Sequence, residues 1–319
     1  MKSPFTKGEK MEKIKIFSGR SHPKIAEEIC RRLNIKLSQK EPREYANGCF
    51  EVILQEEVKD CKVFLIQTSI PQTLHHDLWE LLQMVNAAKE NGASEIIVVM
   101  PYVSYARSDK IYTPGMTIAI ELLVKLLETS GMTRFIGFDF HSSTLENSFS
   151  SQTKAHHLSA VPLFAEYLKT KDLTNSFILP GGERYFGKAS LLAKMINRPC
   201  GVVKTKRISD NKAVIKKIIG EVSGKDIIIV DDEISNAGTK KAFGEKLQEL
   251  SVKTLTIAAT HGLFVGKAIG NLQSLKILKE IIVTDTVPIP EEVRKALPLQ
   301  VLSVAGLIAE KIKEISKEP

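Results

Sequence analysis

The 319-residue chain holds a single tryptophan, and aromatic residues make up only 6% of it. None of them lies among the basic residues of 201–225, which argues against a platform for stacking unpaired bases and leaves no nucleic-acid partner expected. Its four cysteines, Cys30, Cys49, Cys61 and Cys200, are scattered without a CxxC spacing, so neither a zinc site nor a disulfide framework is indicated. No stretch approaches the ~18 uncharged apolar residues of a membrane-spanning helix. The basic start MKSPFTKGEKMEK has no apolar segment behind it, as a secretory signal would require. A soluble cytoplasmic protein with no membrane partner is therefore expected. Composition is otherwise that of a globular chain, 43% hydrophobic and 26% charged, which excludes disordered and collagen-like classes. At roughly 100–200 residues per domain the length suggests two domains.

Short β-rich apolar runs alternate with helical patterns along the chain. IKIFSG (14–19), KVFLIQT (62–68), SEIIVVMPY (94–102) and TRFIGFDFH (133–141) read as strands of the first half, with amphipathic helices between them. SFILPGG, CGVVKTKR, DIIIVDDE, KTLTIAATHG and EIIVTDTVP repeat the alternation in the second half, and LSVAGLIAEKIKEIS closes it as a helix. Runs such as IIVVM are apolar on both faces, as central parallel strands covered by helices must be. The fold class is therefore α/β: two similar domains, each a parallel sheet flanked by helices. The polar SSTLENSFSSQTKAHH (142–157) is the natural place for the change of domain. Ligands of such sheets bind beyond the carboxyl ends of the strands.

The strongest chemical signal is IIIVDDEISNAGT (227–239). A strand runs into two acids, then a short loop of small and hydroxyl residues, then a helix. The loop amides, the Ser235 and Thr239 hydroxyls and the helix N-terminus make a cradle for a phosphate. Asp231 and Asp232 could hold a ribose diol, or a Mg²⁺ carried by a polyphosphate. A phosphate group and a sugar group bound some residues apart are what a sugar 5-phosphate presents. Between Gly201 and Lys225 lie seven lysines and arginines against Asp210 and Glu221, a local excess suited to a phosphorylated ligand. Gly182 to Ala189 approximates a P-loop, but Ala189 stands where a metal-binding hydroxyl belongs and Tyr185-Phe186 would crowd the phosphate.

The 227–239 stretch resembles the 5-phosphoribosyl 1-diphosphate (PRPP) signature of the type I phosphoribosyltransferase fold. With IFSGRSHPKIAEEI, PYVSYARSDK (101–110), FDFHSS (138–143), THGLFVGKAI and VTDTVP (283–288), the resemblance extends over nearly the whole chain to the ribose-phosphate diphosphokinases, or PRPP synthetases. It implies transfer of the diphosphoryl group of Mg-ATP to the C1 hydroxyl of ribose 5-phosphate, giving PRPP and AMP, by a homo-oligomer that is often a hexamer. It also implies an N-terminal ATP-side domain at 13–155 after a basic tail at 1–12, and a ribose 5-phosphate domain at 156–319.

Site residues follow from the same likeness. Ribose 5-phosphate would lie on Asp231, Asp232, Ser235, Asn236, Ala237, Gly238 and Thr239. ATP would meet Tyr45, Asn47, Arg107, Ser108 and Asp109, with His141 a ligand of the Mg²⁺ that bridges its phosphates. Family members carry a catalytic Lys with an Arg two residues on. Here either Lys204 is that lysine and Lys206 takes the arginine's place, or Arg207 is kept and the lysine has become Thr205. His75, His76, His156 and His157 carry no expected role. The chain departs from the family where a nucleotide-contacting glutamate is Cys49, where a metal-associated aspartate is Gly181, and where Arg-Gln is Arg107-Ser108. Those departures favour a second reading, a regulatory relative that binds phosphorylated ribose or nucleotide. A phosphoribosyltransferase is a third.

Overall fold

The structure is a computed structural model that describes residues 14–209 and 212–318, with 206–209 and 212–214 described in backbone only. The tail expected at 1–12 lies outside them. Two compact units form: one runs to Leu158 and takes back the chain from Ala305, and the other is Ser159–Val304.

Unit 1 is built from β1 (Ile14–Ser18), α1 (Pro23–Leu33), β2 (Lys40–Glu44), β3 (Phe50–Leu54), β4 (Lys62–Ile66), α2 (Leu74–Glu90), β5 (Glu95–Val99), α3 (Ala119–Ser130), β6 (Arg134–Phe138), α4 (Ser143–Ser148) and β7 (Lys154–Leu158). Unit 2 contains α5 (Val161–Leu168), β8 (Ser176–Pro180), α6 (Phe186–Met195), β9 (Val202–Ser209), β10 (Lys212–Ile219), β11 (Asp226–Ile234), α7 (Gly238–Glu249), β12 (Thr254–Gly262), α8 (Ala268–Gln273), β13 (Leu278–Thr284), α9 (Glu291–Ala296) and β14 (Leu299–Leu302). The last helix, α10, spans Ala305–Lys317.

Both sheets have five parallel strands. Their orders, β1-β4-β5-β6-β7 and β8-β11-β12-β13-β14, have the same form. In each, the first strand is followed by a helix and a two-stranded antiparallel ribbon, β2–β3 or β9–β10, before the chain re-enters beside that strand. The halves are therefore duplicates in topology, as the alternation of apolar runs implied. The central strands are buried on both faces: Val63–Ile66, Ile96–Val99 and Ile227–Val230 are each at most 3% exposed, and helices cover them.

The terminal helix departs from the expectation of a second domain at 156–319. α10 packs on α1 of unit 1, where Lys62 Nζ donates to the Ile315 carbonyl at 3.1 Å. Arg134 and Lys154 bind the Glu318 carboxylate at 2.5 and 3.1 Å. In the duplicate, α5 follows β7 and packs on α6. The helix that follows the last strand of one sheet thus serves the first helix of the other half. The segment 142–157, the expected place for the change of domain, ends next to the boundary between Leu158 and Ser159. It supplies α4 and β7, whose Gly137↔His157 and Phe138↔Leu158 pairs complete the first sheet.

Candidate functional site

In unit 2 the site begins where β8 and β11 end. Pro180 pairs with Val230, and the Gly181 amide then donates to the Val230 carbonyl at 2.8 Å. This brings the Gly181 backbone against the next side chain on β11. A Cβ on Gly181 would stand 2.0 Å from Asp231 Oδ2, so a residue without a side chain is needed there. Asp231 and Asp232 are both buried, at 3% and 5% exposure.

Each acid has partners. Asp231 Oδ1 accepts the Asp232 amide at 2.8 Å. Its Oδ2 pairs with the ammonium of Lys240, itself only 9% exposed in its side chain. The Tyr185 hydroxyl donates to Asp232. Burial pushes the Asp231 carboxyl upward from its ordinary range, while the Lys240 charge pulls against that shift. Burial and the two neighbouring carboxylates push the Tyr185 phenol far upward, so it stays a neutral donor. Neither Lys240 nor Tyr185 was read from the sequence as part of this site; Tyr185 was weighed only as an obstacle to a P-loop. That segment is a short 3₁₀ turn, Glu183–Tyr185, running into α6, and Lys188 lies inside the helix.

Beyond Ile234 the chain turns through a short loop into α7. The Ser235 and Asn236 carbonyls accept Val265 N at 3.1 Å and Asn271 Nδ2 at 2.9 Å, which fixes the loop from outside. Asn236 Oδ1 accepts the Gly238 amide at 2.9 Å. Ala237 takes the left-handed conformation, φ 58° and ψ 13°, and turns the chain into α7 at Gly238. The amides of Thr239 and Lys240 then belong to the first turn, which has no intrahelical acceptors. An anion is stabilised at that end of a helix.

The basic segment forms the ribbon β9–β10. Lys204 is exposed and pairs across it with Lys217, while Thr205 pairs with Ile215, Lys206 with Val214 and Arg207 with Ala213. The Thr205 amide donates to Glu183 Oε1 at 2.8 Å, tying the ribbon to the turn that carries Tyr185. The side chains of Lys206 and Arg207 lie outside the described ones.

In unit 1 the corresponding positions hold different chemistry. The Gly19 amide donates to the Ile66 carbonyl at 2.8 Å, and a Cβ there would stand 2.1 Å from Gln67 Oε1. Gln67 Nε2 donates to Glu80 Oε2 at 2.7 Å. Glu80, fully buried in α2, also accepts the Arg20 amide at 2.9 Å and Lys40 Nζ at 2.7 Å. The Arg20 guanidinium lies over the Phe50 ring, which stacks on His76. This hub holds the β2–β3 hairpin to the ends of β1 and β4, and the sequence reading missed it.

The hairpin's turn carries Tyr45, Asn47 and Cys49. Gly48 there adopts φ 85°, Asn47 Oδ1 accepts the Cys49 amide at 3.0 Å, and the Tyr45 hydroxyl donates to Glu51 at 2.8 Å. Tyr45 and Cys49 are exposed. Arg107, Ser108 and Asp109 follow β5. Asp109 is buried and Arg107 exposed. Ser108 Oγ accepts the Ala119 amide at 3.3 Å, at the start of α3. His141 follows β6, half-buried. Its loop is braced by His157, whose Nε2 accepts the Phe140 amide at 3.0 Å, while Nδ1–H donates to Glu146 at 2.6 Å and the ring stacks on Phe140. His157 therefore has a positioning role, and the pairing assigns it the Nδ1–H tautomer.

Residues 14–131 match the family of the N-terminal domain of ribose phosphate pyrophosphokinase, and residues 196–319 match the phosphoribosyl synthetase-associated domain. The chain is 34% identical over 305 residues to a putative ribose-phosphate pyrophosphokinase of Streptomyces coelicolor, covering 96% of this chain and 95% of that one. It is 34% identical to the ribose-phosphate pyrophosphokinase of Bacillus caldolyticus, over 95% and 94% of the two chains. The chain belongs to the ribose-phosphate pyrophosphokinase family. The crystal structure of phosphoribosylpyrophosphate synthetase from Mycobacterium smegmatis superposes with a TM-score of 0.86 at 29% identity, covering 95% of this chain and 98% of that one. Likeness across both halves removes the phosphoribosyltransferase reading, which would share mainly the 227–239 segment. Among the described residues no helix is long and apolar enough to cross a membrane.

Proposed function

We propose that the protein transfers the diphosphoryl group of Mg-ATP to the C1 hydroxyl of ribose 5-phosphate, forming PRPP and AMP. The observation that carries this reading is the buried Asp231–Asp232 pair at the end of β11, followed within one turn of chain by the Ser235–Thr239 cradle. The 5-phosphate takes the cradle's amides and the Ser235 and Thr239 hydroxyls, and the ribose hydroxyls donate to the acid pair. The C1 oxygen then bonds to the β-phosphorus of ATP as the bond from that phosphorus to the α-phosphate bridge breaks. The proton of the C1 hydroxyl passes to solvent water, and the bridging oxygen departs with AMP.

Such a transfer needs positioning and charge stabilisation more than covalent help. Lys204, exposed on β9, would supply the positive charge with Lys206 or Arg207 from the same ribbon. On the ATP side we assign Tyr45 and Asn47 to the adenosine end and Arg107 to the phosphates. Asp109 would orient Arg107. Ser108 would act through its hold on α3 rather than on the nucleotide. Among the described residues no three His, Cys, Asp or Glu side chains gather as a metal cage. Magnesium would arrive on ATP, and His141 would be a protein contact for it. Exposed Trp79, Leu122 and Leu126 on α2 and α3 support assembly as a homo-oligomer.

Cys49, exposed on the hairpin turn, favours a second reading, a regulatory relative that keeps the sugar-phosphate site and lacks turnover. ATP labelled in its β-phosphate separates the two. Label appearing in a ribose product and absent from AMP supports diphosphoryl transfer. Ribose 5-phosphate binding without labelled product leaves the regulatory reading.

A further inference from the structure

Lys240 sits in the first turn of α7, the end of a helix at which a positive charge is disfavoured. It is nevertheless buried there, with its ammonium on Asp231. The two halves share the frame that brings these groups together: a glycine after the first strand, a polar side chain on the neighbouring chain one residue past its last pairing with that strand, and a buried charged residue on the helix that follows. In unit 1 that frame is closed by an amide and a carboxylate, Gln67 and Glu80. A buried ammonium, that of Lys40, reaches the Glu80 carboxylate there as well. In unit 2 the ammonium instead lies on one of two adjacent carboxylates.

With Tyr185 a neutral donor to Asp232, the cluster holds two negative charges and one positive. Both Asp231 oxygens have partners, the Asp232 amide and Lys240. A divalent ion on Asp231 would have to displace the ammonium or lie beside it, where like charges repel strongly away from water. We propose that Lys240 is a positioning residue of the sugar-phosphate pocket: its ammonium balances the acid pair, so the pocket takes the hydroxyls of ribose 5-phosphate with no divalent ion on Asp231 or Asp232. The proposal rests on the reading of 231–239 as the ribose 5-phosphate site.

Calorimetric titration of ribose 5-phosphate into the full chain, without ATP, tests it. Omitting ATP removes the separate demand of that substrate for magnesium. The expected affinity is the same in EDTA as in Mg²⁺. Lys240→Met should weaken binding in EDTA by about 10- to 100-fold, the usual effect of removing a group that orients a ligand-bearing side chain. Mg²⁺ should restore part of that loss, with Mn²⁺ binding newly detectable by its paramagnetic resonance. Lys240→Arg, which keeps the charge, should retain metal-independent binding. If Lys240→Met does not fold, the wild-type comparison and Lys240→Arg still decide. Wild-type binding that vanishes in EDTA overturns the proposal, as does a folded Lys240→Met that binds normally without metal. No binding to the wild type in either buffer overturns the site reading itself, and the proposal falls with it.

Discussion

Gly181→Ala places one methyl group where Asp231 Oδ2 now stands, with the new Cβ 2.0 Å from that oxygen, 2.6 Å from Cγ and 3.0 Å from Cβ of the same aspartate. Three atoms of one side chain lie in the way, so the carboxylate must rotate rather than yield a few tenths of an ångström. Rotation parts Asp231 Oδ2 from Lys240 in a region where both are buried. Breaking a buried pair costs about 3–5 kcal/mol when neither charge finds a new partner. Restricting the unfolded chain by replacing glycine returns only about 0.4–1 kcal/mol. The net expectation is a loss of about 2–4 kcal/mol, which at roughly 2–4 °C per kcal/mol lowers the melting temperature by about 5–15 °C. Gly187→Ala is the control. It lies in α6, and a Cβ there meets nothing within 4 Å. That change should be neutral or stabilise by up to about 1 kcal/mol. Differential scanning calorimetry reads both, and ribose 5-phosphate titration reads the displaced carboxylate in Gly181→Ala. A Gly181→Ala protein that melts with the wild type and binds normally would refute the argument from close approach.

Other expectations are separable from that one. Lys204→Ala should lower turnover by about 10³-fold or more, the scale on which a lone transition-state cation acts in phosphoryl transfer, with a much smaller change in KM; steady-state kinetics check it. Glu80→Ala removes the carboxylate that faces Lys40 and Arg20 and should destabilise unit 1 by about 3–5 kcal/mol, seen as early protection loss in hydrogen exchange at β2–β3. Arg134 and Lys154 hold the Glu318 carboxyl down at about 2 from 4.5. A lowered acid contributes stability that is fully present above pH 4.5 and is lost as pH falls toward 2. Glu318→Gln should therefore flatten the stability profile within that window and leave it unchanged in slope above it, as read by urea unfolding at each pH.

The central strands of the two sheets were legible because they are continuous apolar runs, a pattern that only central parallel strands require; the edge strands β7, KAHHL, and β14, LQVL, were not read. The hairpin β2–β3 was not. KEPRE is exposed and polar, and what fixes it is long-range: Gln83 Oε1 accepting the Val52 amide and Gln83 Nε2 donating to the Phe50 carbonyl. The amphipathic pattern of α10 showed that one face is buried but not against which helix, so its place on α1 was invisible. Asp231 and Asp232 stood out as acids straight after a buried strand. Lys240 did not, because a lysine in the first turn of a helix reads as solvated until the fold brings it to Asp231. Gly181 read only as a departure from a family pattern. The close approach that requires a glycine there depends on the register of β8 with β11. His157 was passed over for the same reason, since its bonds to Phe140 and Glu146 exist only once β7 pairs with β6.

The most direct test of the central claim is a single reaction of purified protein with ribose 5-phosphate, Mg²⁺ and ATP, following AMP and PRPP together. The account predicts that both appear in equal amounts, and that neither forms when ribose 5-phosphate is omitted. ADP in place of AMP, or AMP released without PRPP, would contradict it.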